Sequence, residues 1–288
     1  MKETMKGGIK MNTQMSKAGA LFIATIMLGS LIAIPIASAA TYERWNAGAL
    51  NRYNDARTNY EKAVTQYKGM KGDFMTARSE FKGYRADETG NKLEPVKRFL
   101  TRTIDVSTAW LNVVLTAAQG EPGLSEADKT RITSSLQEDI DWLNEQRTVI
   151  DNAQTKEELV SAAEIVQSRW ENTRVAVKGY VGEILLAKSQ VAIDQYQTAR
   201  DKVEAEIQKA KDAGKGTTAA EELLSKADDR IETAKEKYAS AKEAYASIDG
   251  LNDADRKAQE ANNLVRELNN NIREAYTFLR NAHSSLKG

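Results

Sequence analysis

The chain has 288 residues, with 41 Lys and Arg against 41 Asp and Glu, and no cysteine. The lack of cysteine excludes disulfides, thiolate metal sites, a cysteine nucleophile and a lipoprotein anchor, so stability must come from packing. Apolar residues at 41% and charged residues at 28% fit a folded chain. The even mixture of charge argues against nucleic acid, or an anionic lipid surface, as the main partner.

Residues 1–39 read as a secretory signal peptide. Lys2, Lys6, Lys10 and Lys17 form a basic leader, and Ala18 to Ile34 is an uncharged, mostly apolar run. Pro35 breaks that run, and Ala37-Ser38-Ala39 offers a small-residue cleavage site. The competing expectation is an uncleaved anchor, since Ala18 to Ala40 is near the length of a membrane span. Met11 and Met15 are alternative starts, and there is no twin arginine, which implies the general secretory route. Cleavage after Ala39 would leave 37 basic and 40 acidic residues, a net charge of −3.

The first predicted helix runs from about Tyr42 to Arg85. Every seventh residue is aromatic (Tyr53, Tyr60, Tyr67, Phe74, Phe81), and Ala49, Ala56, Ala63, Met70 and Ala77 fill the complementary positions. That alternation of fours and threes is the signature of a long helix laying one stripe against a partner. Gly69, Gly72 and Gly83 are tolerated within it, at about 1 kcal/mol each against alanine. A turn is expected at Asp87 to Asn91.

The second helix is predicted from Glu94 to Gln119, with Pro95 in its first turn, where the missing N–H is harmless. Val96, Phe99, Leu100, Ile104, Trp110, Leu111, Val114 and Leu115 make it apolar over a wide arc, which places it at the centre of a bundle. A membrane-inserting tip at Ala109 to Ala118 is the sharper alternative, but ten residues are too few to span. Gly120 to Gly123 is a tight connection. Ser125 to Asp128 resembles a capping box with Asp in place of Glu. It opens a third helix whose buried stripe is Ile132, Leu136, Ile140, Leu143 and Ile150, with Trp142 covering its edge.

Thr155-Lys156-Glu157-Glu158 is a capping box opening the fourth helix, and no stop signal follows until Gly214. About 58 residues give roughly 87 Å. Leu159, Ala163, Val166, Trp170, Thr173, Val177, Tyr180 and Ile184 hold a heptad, which slips between Ala187 and Tyr196 and resumes through Ala199, Val203, Ile207 and Ala210. Such a slip marks a change of neighbours, so this helix is expected to be a spine joining two bundle segments. A break near Gly179 to Gly182 is the alternative. Thr218 to Glu221 reads as the next capping box. The fifth helix then carries Ala227, Ile231, Ala234, Tyr238, Ala241 and Tyr245 in register and ends near Ile248. Asp249-Gly250 turns the chain, with Asn252 or Asp253 as cap. The sixth helix keeps unbroken spacing: Ala254, Ala258, Ala261, Val265, Leu268, Ile272, Ala275, Leu279, Ala282 and Leu286. Small residues on both helices favour close antiparallel packing.

The expected fold is therefore all-α, an elongated antiparallel bundle of about six long helices with coiled-coil packing. Residues 40–185 would form one segment, and 186–288 a three-helix segment sharing the fourth-helix spine. No catalytic, cofactor-binding or metal-ligating residues emerge. The single histidine, His283, has no carboxylate within one turn on its own helix and suits a surface place at a helix end. Asp249 to Asp255 clusters acids, but the spacing fails the calcium-loop pattern, and turn plus cap explains it. No phosphate loop, zinc helix or nucleophile elbow is present.

The Ala- and Thr-rich leader and the charged heptad body together resemble exported helical proteins of archaea, methanogens especially. The resemblance extends over the whole length and implies residence in the cell envelope. An exported, non-enzymatic structural or interaction protein is the expected function, with protein partners or self-association through helical stripes. Nucleic acid is not an expected partner, and membrane contact would come only from an uncleaved N-terminal segment. An exported holdase whose helical arms clasp unfolded clients, and a helical pore-forming effector, are the alternatives. Helix one outruns its neighbours in predicted length, so exposed stripe on it would drive dimerisation.

Overall fold

The structure, a computed structural model, describes residues 58–59, 61–66, 68–73, 75–77, 79, 93–248, 250 and 253–286. The leader, the aromatic stripe Tyr53 to Phe81, the Asp87 to Asn91 turn, Asp249 and Asn252 lie outside the described residues. The fold is an all-α bundle, and no strand occurs among the described residues. Those between 58 and 79 are helical, and five helices follow: α1 Glu94–Gly120, α2 Glu126–Asn152, α3 Lys156–Asp212, α4 Thr218–Ala246 and α5 Ala254–Ser285. None of these helices is long and apolar enough to cross a membrane.

The chain divides into two compact units, one holding residues up to Gly120 with Lys129–Arg174, the other Glu121–Asp128 with Val175–Gly288. In the first unit α1 is the most enclosed helix. Val96, Phe99, Ile104, Val106, Ala109, Trp110, Leu111, Val113 and Val114 are all buried, covering more than one helix face. Two of its buried hydroxyls bond back along the helix: Thr103 donates to the Phe99 carbonyl at 2.8 Å, and Ser107 to that of Thr103 at 2.9 Å. Back-bonding of this kind satisfies a hydroxyl without a partner helix. The α1–α2 register is antiparallel. Thr101 donates to Asp151 at 3.1 Å, and Arg147 pairs with the buried Asp105 at 3.0 Å, so the pairing moves back along α2 as it moves forward along α1. The stripe Ile132, Leu136, Ile140, Leu143 and Ile150 is buried as its spacing predicts.

The entry to α2 differs from the capping box in one respect. The Asp128 N–H donates to Ser125 Oγ at 3.1 Å, but the Asp128 carboxylate accepts from the Ser125 hydroxyl at 2.6 Å. Aspartate is one methylene shorter than the glutamate that usually reaches the cap's backbone N–H. At α3 the box is complete: Glu158 N–H donates to Thr155 Oγ1 at 3.2 Å, and the Glu158 carboxylate accepts from Thr155 and Gln154 N–H at 3.1 and 2.6 Å. Those backbone donors, Gln154 first and then Thr155, hold the Glu158 carboxyl below its ordinary value of 4.5. A carboxyl held low in the folded state contributes stability above its unfolded value and loses it as pH falls through the folded one. Glu158→Gln is therefore expected to flatten the dependence of Tm on pH below about pH 5, and Thr155→Ala to cost about 1 kcal/mol. Thermal melts between acid and neutral pH check both.

Helix α3 is continuous over 57 residues, and Gly179 and Gly182 do not break it. In its first part Leu159, Val166, Trp170, Thr173 and Val177 are buried in one stripe. From Val177 to Ile193 burial widens to take in Lys178, Val181, Ile184, Leu185, Leu186 and Ser189. Here α3 gains α4, α5 and the Glu121–Asp128 segment as neighbours within the second unit, which accounts for the heptad slip. At the end of α3, Lys215 N–H donates to Ala210 O at 2.9 Å and Gly214 N–H to Lys211 O at 2.8 Å, with Gly214 at φ 72°. That is a Schellman turn, which needs the left-handed conformation glycine adopts freely.

The capping box predicted at Thr218 is not the one formed. Thr217 occupies the cap position, and its hydroxyl donates to Glu221 rather than accepting from the helix backbone. Glu221 also pairs with Lys211 at 3.1 Å, which ties the start of α4 to the end of α3. Asp253 caps α5 without a side-chain bond to its N–H groups, and instead pairs with Lys257 at 3.2 Å.

The second unit is a three-helix bundle whose directions follow from its cross-helix pairs. Between α4 and α5, Arg230 meets Glu274 at 2.9 Å and Lys237 meets Glu267 at 2.6 Å. The residue numbers rise on one helix as they fall on the other, so the pair is antiparallel. Between α3 and α5, Lys178 pairs with Asp255, Ser189 with Asn269 and His283 with Glu206. Those numbers rise together, so α3 and α5 are parallel, with α4 antiparallel to both. Nine of the ten predicted stripe positions on α5, Ala254 to Ala282, are buried, and Leu286 is half-buried at the helix end. Alanines at 227, 234 and 241 on α4 are fully enclosed, as are Ala254, Ala261, Ala275 and Ala282 on α5. Small side chains facing each other allow the close helix approach that the sequence predicts.

Candidate functional site

The densest arrangement of polar and aromatic groups lies along α3 between Lys178 and Glu206, where α4 and α5 flank it. Tyr196, buried on α3, donates its hydroxyl to Asp228 of α4 at 2.8 Å. Arg200, one turn further along α3, donates to the same carboxylate at 3.0 Å and to Glu204 at 2.8 Å. On the other flank the Tyr276 ring of α5 meets the Tyr196 ring edge-to-face at 6.0 Å and 87°. The Tyr276 hydroxyl donates to the Ala192 carbonyl of α3 at 3.0 Å. About two turns of α3, from Ala192 to Arg200, thus hold both partner helices, through one ion pair, two phenol hydrogen bonds and one ring contact.

The electrostatics make this a clamp. Burial first, and the bond to Asp228 second, push the Tyr196 phenol well above its ordinary value of 10.0. It remains a neutral donor at neutral pH. The bonds to Asp228 and Glu204 hold the Arg200 guanidinium more firmly protonated than usual. Neither group is poised to give up a proton near neutrality, so the arrangement favours positioning over acid–base work.

A second group sits nearer the middle of α3. Tyr245 of α4 lies over Gly182, where an added Cβ would stand 2.4 Å from the ring atoms Cγ and Cδ1. Its hydroxyl donates to Asn262 of α5 at 2.6 Å. Burial raises its phenol value too. Both tyrosines therefore titrate higher folded than unfolded. Above about pH 10 the unfolded chain holds fewer protons, and stability falls as pH rises. The second unit is expected to lose Tm progressively on this alkaline limb, and the double change Tyr196→Phe, Tyr245→Phe to make the limb shallower. Melts at successive alkaline pH values, with phenolate absorbance as the titration readout, check this.

Burial pulls the Lys188 amine below its ordinary 10.5, with Glu121 opposing. A lowered amine is a precondition for amine nucleophiles. Here the opposing carboxylate comes from the Glu121–Ser125 loop. That loop seats so closely on α3 that a Cβ on Gly123 would stand 2.5 Å from the Ala187 carbonyl oxygen. The Gly123 N–H donates to Glu121 at 3.0 Å, which fixes the carboxylate. The close seat of Gly123 on the Ala187 backbone thus brings the charge of Glu121 to bear on the Lys188 amine.

His283 is half-buried, and its Nδ1 bonds Glu206 of α3. Its own helix does not supply that partner, which is why the sequence places it at the surface without one. Of the acids between 249 and 255, Asp253 pairs with Lys257 and Asp255 with Lys178. Among the described residues no three His, Asp or Glu converge as metal ligands. The contact sequence reasoning missed most plainly is Tyr196–Asp228–Arg200. Its only local signal is the Tyr-x-x-x-Arg spacing on one helix face, and Asp228 lies 28 residues beyond Arg200. No family model, curated protein or solved structure matches the chain.

Proposed function

We propose that this is an exported, non-enzymatic protein of the cell envelope that works by helix-to-helix contact, as a scaffold or docking element. One observation carries the reading. Tyr196, Arg200 and Tyr245, whose proton affinities are raised, are each committed to holding one helix against another. Chemistry on a substrate would require such groups to face a ligand instead. The leader supports export, and the charged outer faces of the helices suit an aqueous compartment.

The test is cross-linking of intact producing cells, followed by mass spectrometry of what is joined to the protein. A small, reproducible set of envelope proteins, or the chain itself, supports a scaffold. A broad set of unrelated exported chains replaces it with a holdase. Protein recovered free in the medium and without cross-links overturns it, and directs attention to an effector measured by liposome leakage.

A further inference from the structure

Three large apolar side chains stand out as exposed among the described residues: Met75, Val149 and Ile165, each about half accessible, and all in the first unit. Two of them share a seam. Arg169 of α3 donates to Asp139 of α2 at 3.0 Å and lies over the Trp142 ring at 4.6 Å, which fixes the level of the two helices. Val149 is one heptad beyond Trp142 on the same face of α2, and Ile165 is one turn before Arg169 on the same face of α3. With α2 and α3 antiparallel, Ile165 falls between Trp142 and Val149. The three form an apolar strip along the outer α2–α3 seam. Exposed Glu138 and Glu145 flank it.

The surroundings are acidic. Residues 126–174 contain eleven Asp and Glu against six Lys and Arg. Residues 40–92 have the opposite bias, ten Lys and Arg against seven Asp and Glu. Within that stretch Lys68, Lys71 and Met75 share one helix face at spacings of seven and four, and all three are exposed. On that face Val64 is covered, whereas Lys68, Lys71, Met75 and Ser79 are exposed. Both surfaces are exposed in the same chain, so neither covers the other there.

We propose that the α2–α3 seam of one copy receives the Lys68–Met75 face of a second copy, with Met75 against Ile165 and Val149 and the two lysines against Glu138 and Glu145. Charge selects this pairing. Two acidic seams brought together would repel, whereas a basic face and an acidic seam attract and steer encounter. The contact joins two different surfaces, so each copy retains a free donor face and a free acceptor seam, and association continues beyond a dimer unless it closes into a ring. The inference rests on the scaffold reading and supplies its first partner, a further copy of the chain.

Sedimentation velocity of the full chain, expressed with its leader and purified, tests this across concentration and salt. The average mass is expected to rise above the monomer at low salt and to fall back as salt screens the lysines. Val149→Lys with Ile165→Lys should leave the helical circular dichroism intact and the protein monomeric. Lys68→Glu with Lys71→Glu should weaken association roughly tenfold or more, and combining it with Glu138→Lys and Glu145→Lys should restore it. A monomer under all conditions overturns the proposal, as does association indifferent to the seam variants. Either failure leaves the cellular cross-linking result to decide the scaffold reading on other partners.

Discussion

Gly182→Ala is expected to destabilise the second unit by about 1–3 kcal/mol, although alanine is the better helix former. The added methyl group would stand 2.4 Å from two atoms of the Tyr245 ring. That ring cannot swing aside without loss, because its hydroxyl is held by Asn262 at 2.6 Å. Either the ring leaves its place and surrenders that bond, or α4 moves off α3. Gly179 is an internal control three residues earlier on the same helix, since a Cβ there meets nothing within 4 Å. Gly179→Ala should therefore raise stability by the ordinary propensity gain of about 1 kcal/mol. Two identical substitutions one turn apart should thus shift Tm in opposite directions. Tyr245→Leu in the Gly182→Ala background should recover part of the loss. Equal shifts for the two glycines would show that the contact with Tyr245 does not constrain the helix.

The same glycine shows where sequence stops being informative. Read locally, Gly179 and Gly182 suggest a weak point in a long helix, because the only property visible is glycine's poor propensity. The reason for Gly182 lies 63 residues away, in a ring that needs bare backbone to rest on. Periodicity, by contrast, is a local property that packing must obey, so α5 was legible almost residue by residue from Ala254 to Ala282. The α3 slip was legible for the same reason, as a loss of one stripe. Its cause, new neighbours on several sides from Val177 onward, required the register of α4, α5 and the Glu121–Asp128 segment. The cap at Thr217 was missed by one residue, because Thr217 and Thr218 are chemically alike and only the backbone distinguishes them. The Tyr196–Asp228–Arg200 clamp and the His283–Glu206 pair each join different helices, and no spacing rule on a single helix encodes them.

Trp170→Ala is expected to be the most damaging single change in the first unit, at about 3–5 kcal/mol. Trp170 is 3% exposed at a heptad position of α3, and its ring meets Trp110 of α1 edge-to-face at 5.8 Å and 66°. Truncation removes one of the two tryptophans of that layer, and close-packed neighbours relax only partly into the space. For a chain of this size the loss corresponds to a fall in Tm of roughly 10 °C. Trp142 provides the comparison, since it is half-buried and its ring is covered by Arg169 at 4.6 Å. Trp142→Ala should cost about 1 kcal/mol, chiefly the cation–π contact. A double-mutant cycle on Trp110 and Trp170 should return a coupling of about 0.5–1.5 kcal/mol for the ring pair beyond burial. Hydrogen exchange should then show lost protection in α1 and α2 for Trp170→Ala, and in α4 for Gly182→Ala. A reversed pattern would mean that α3 transmits the defect along its length, so that the two units do not unfold independently.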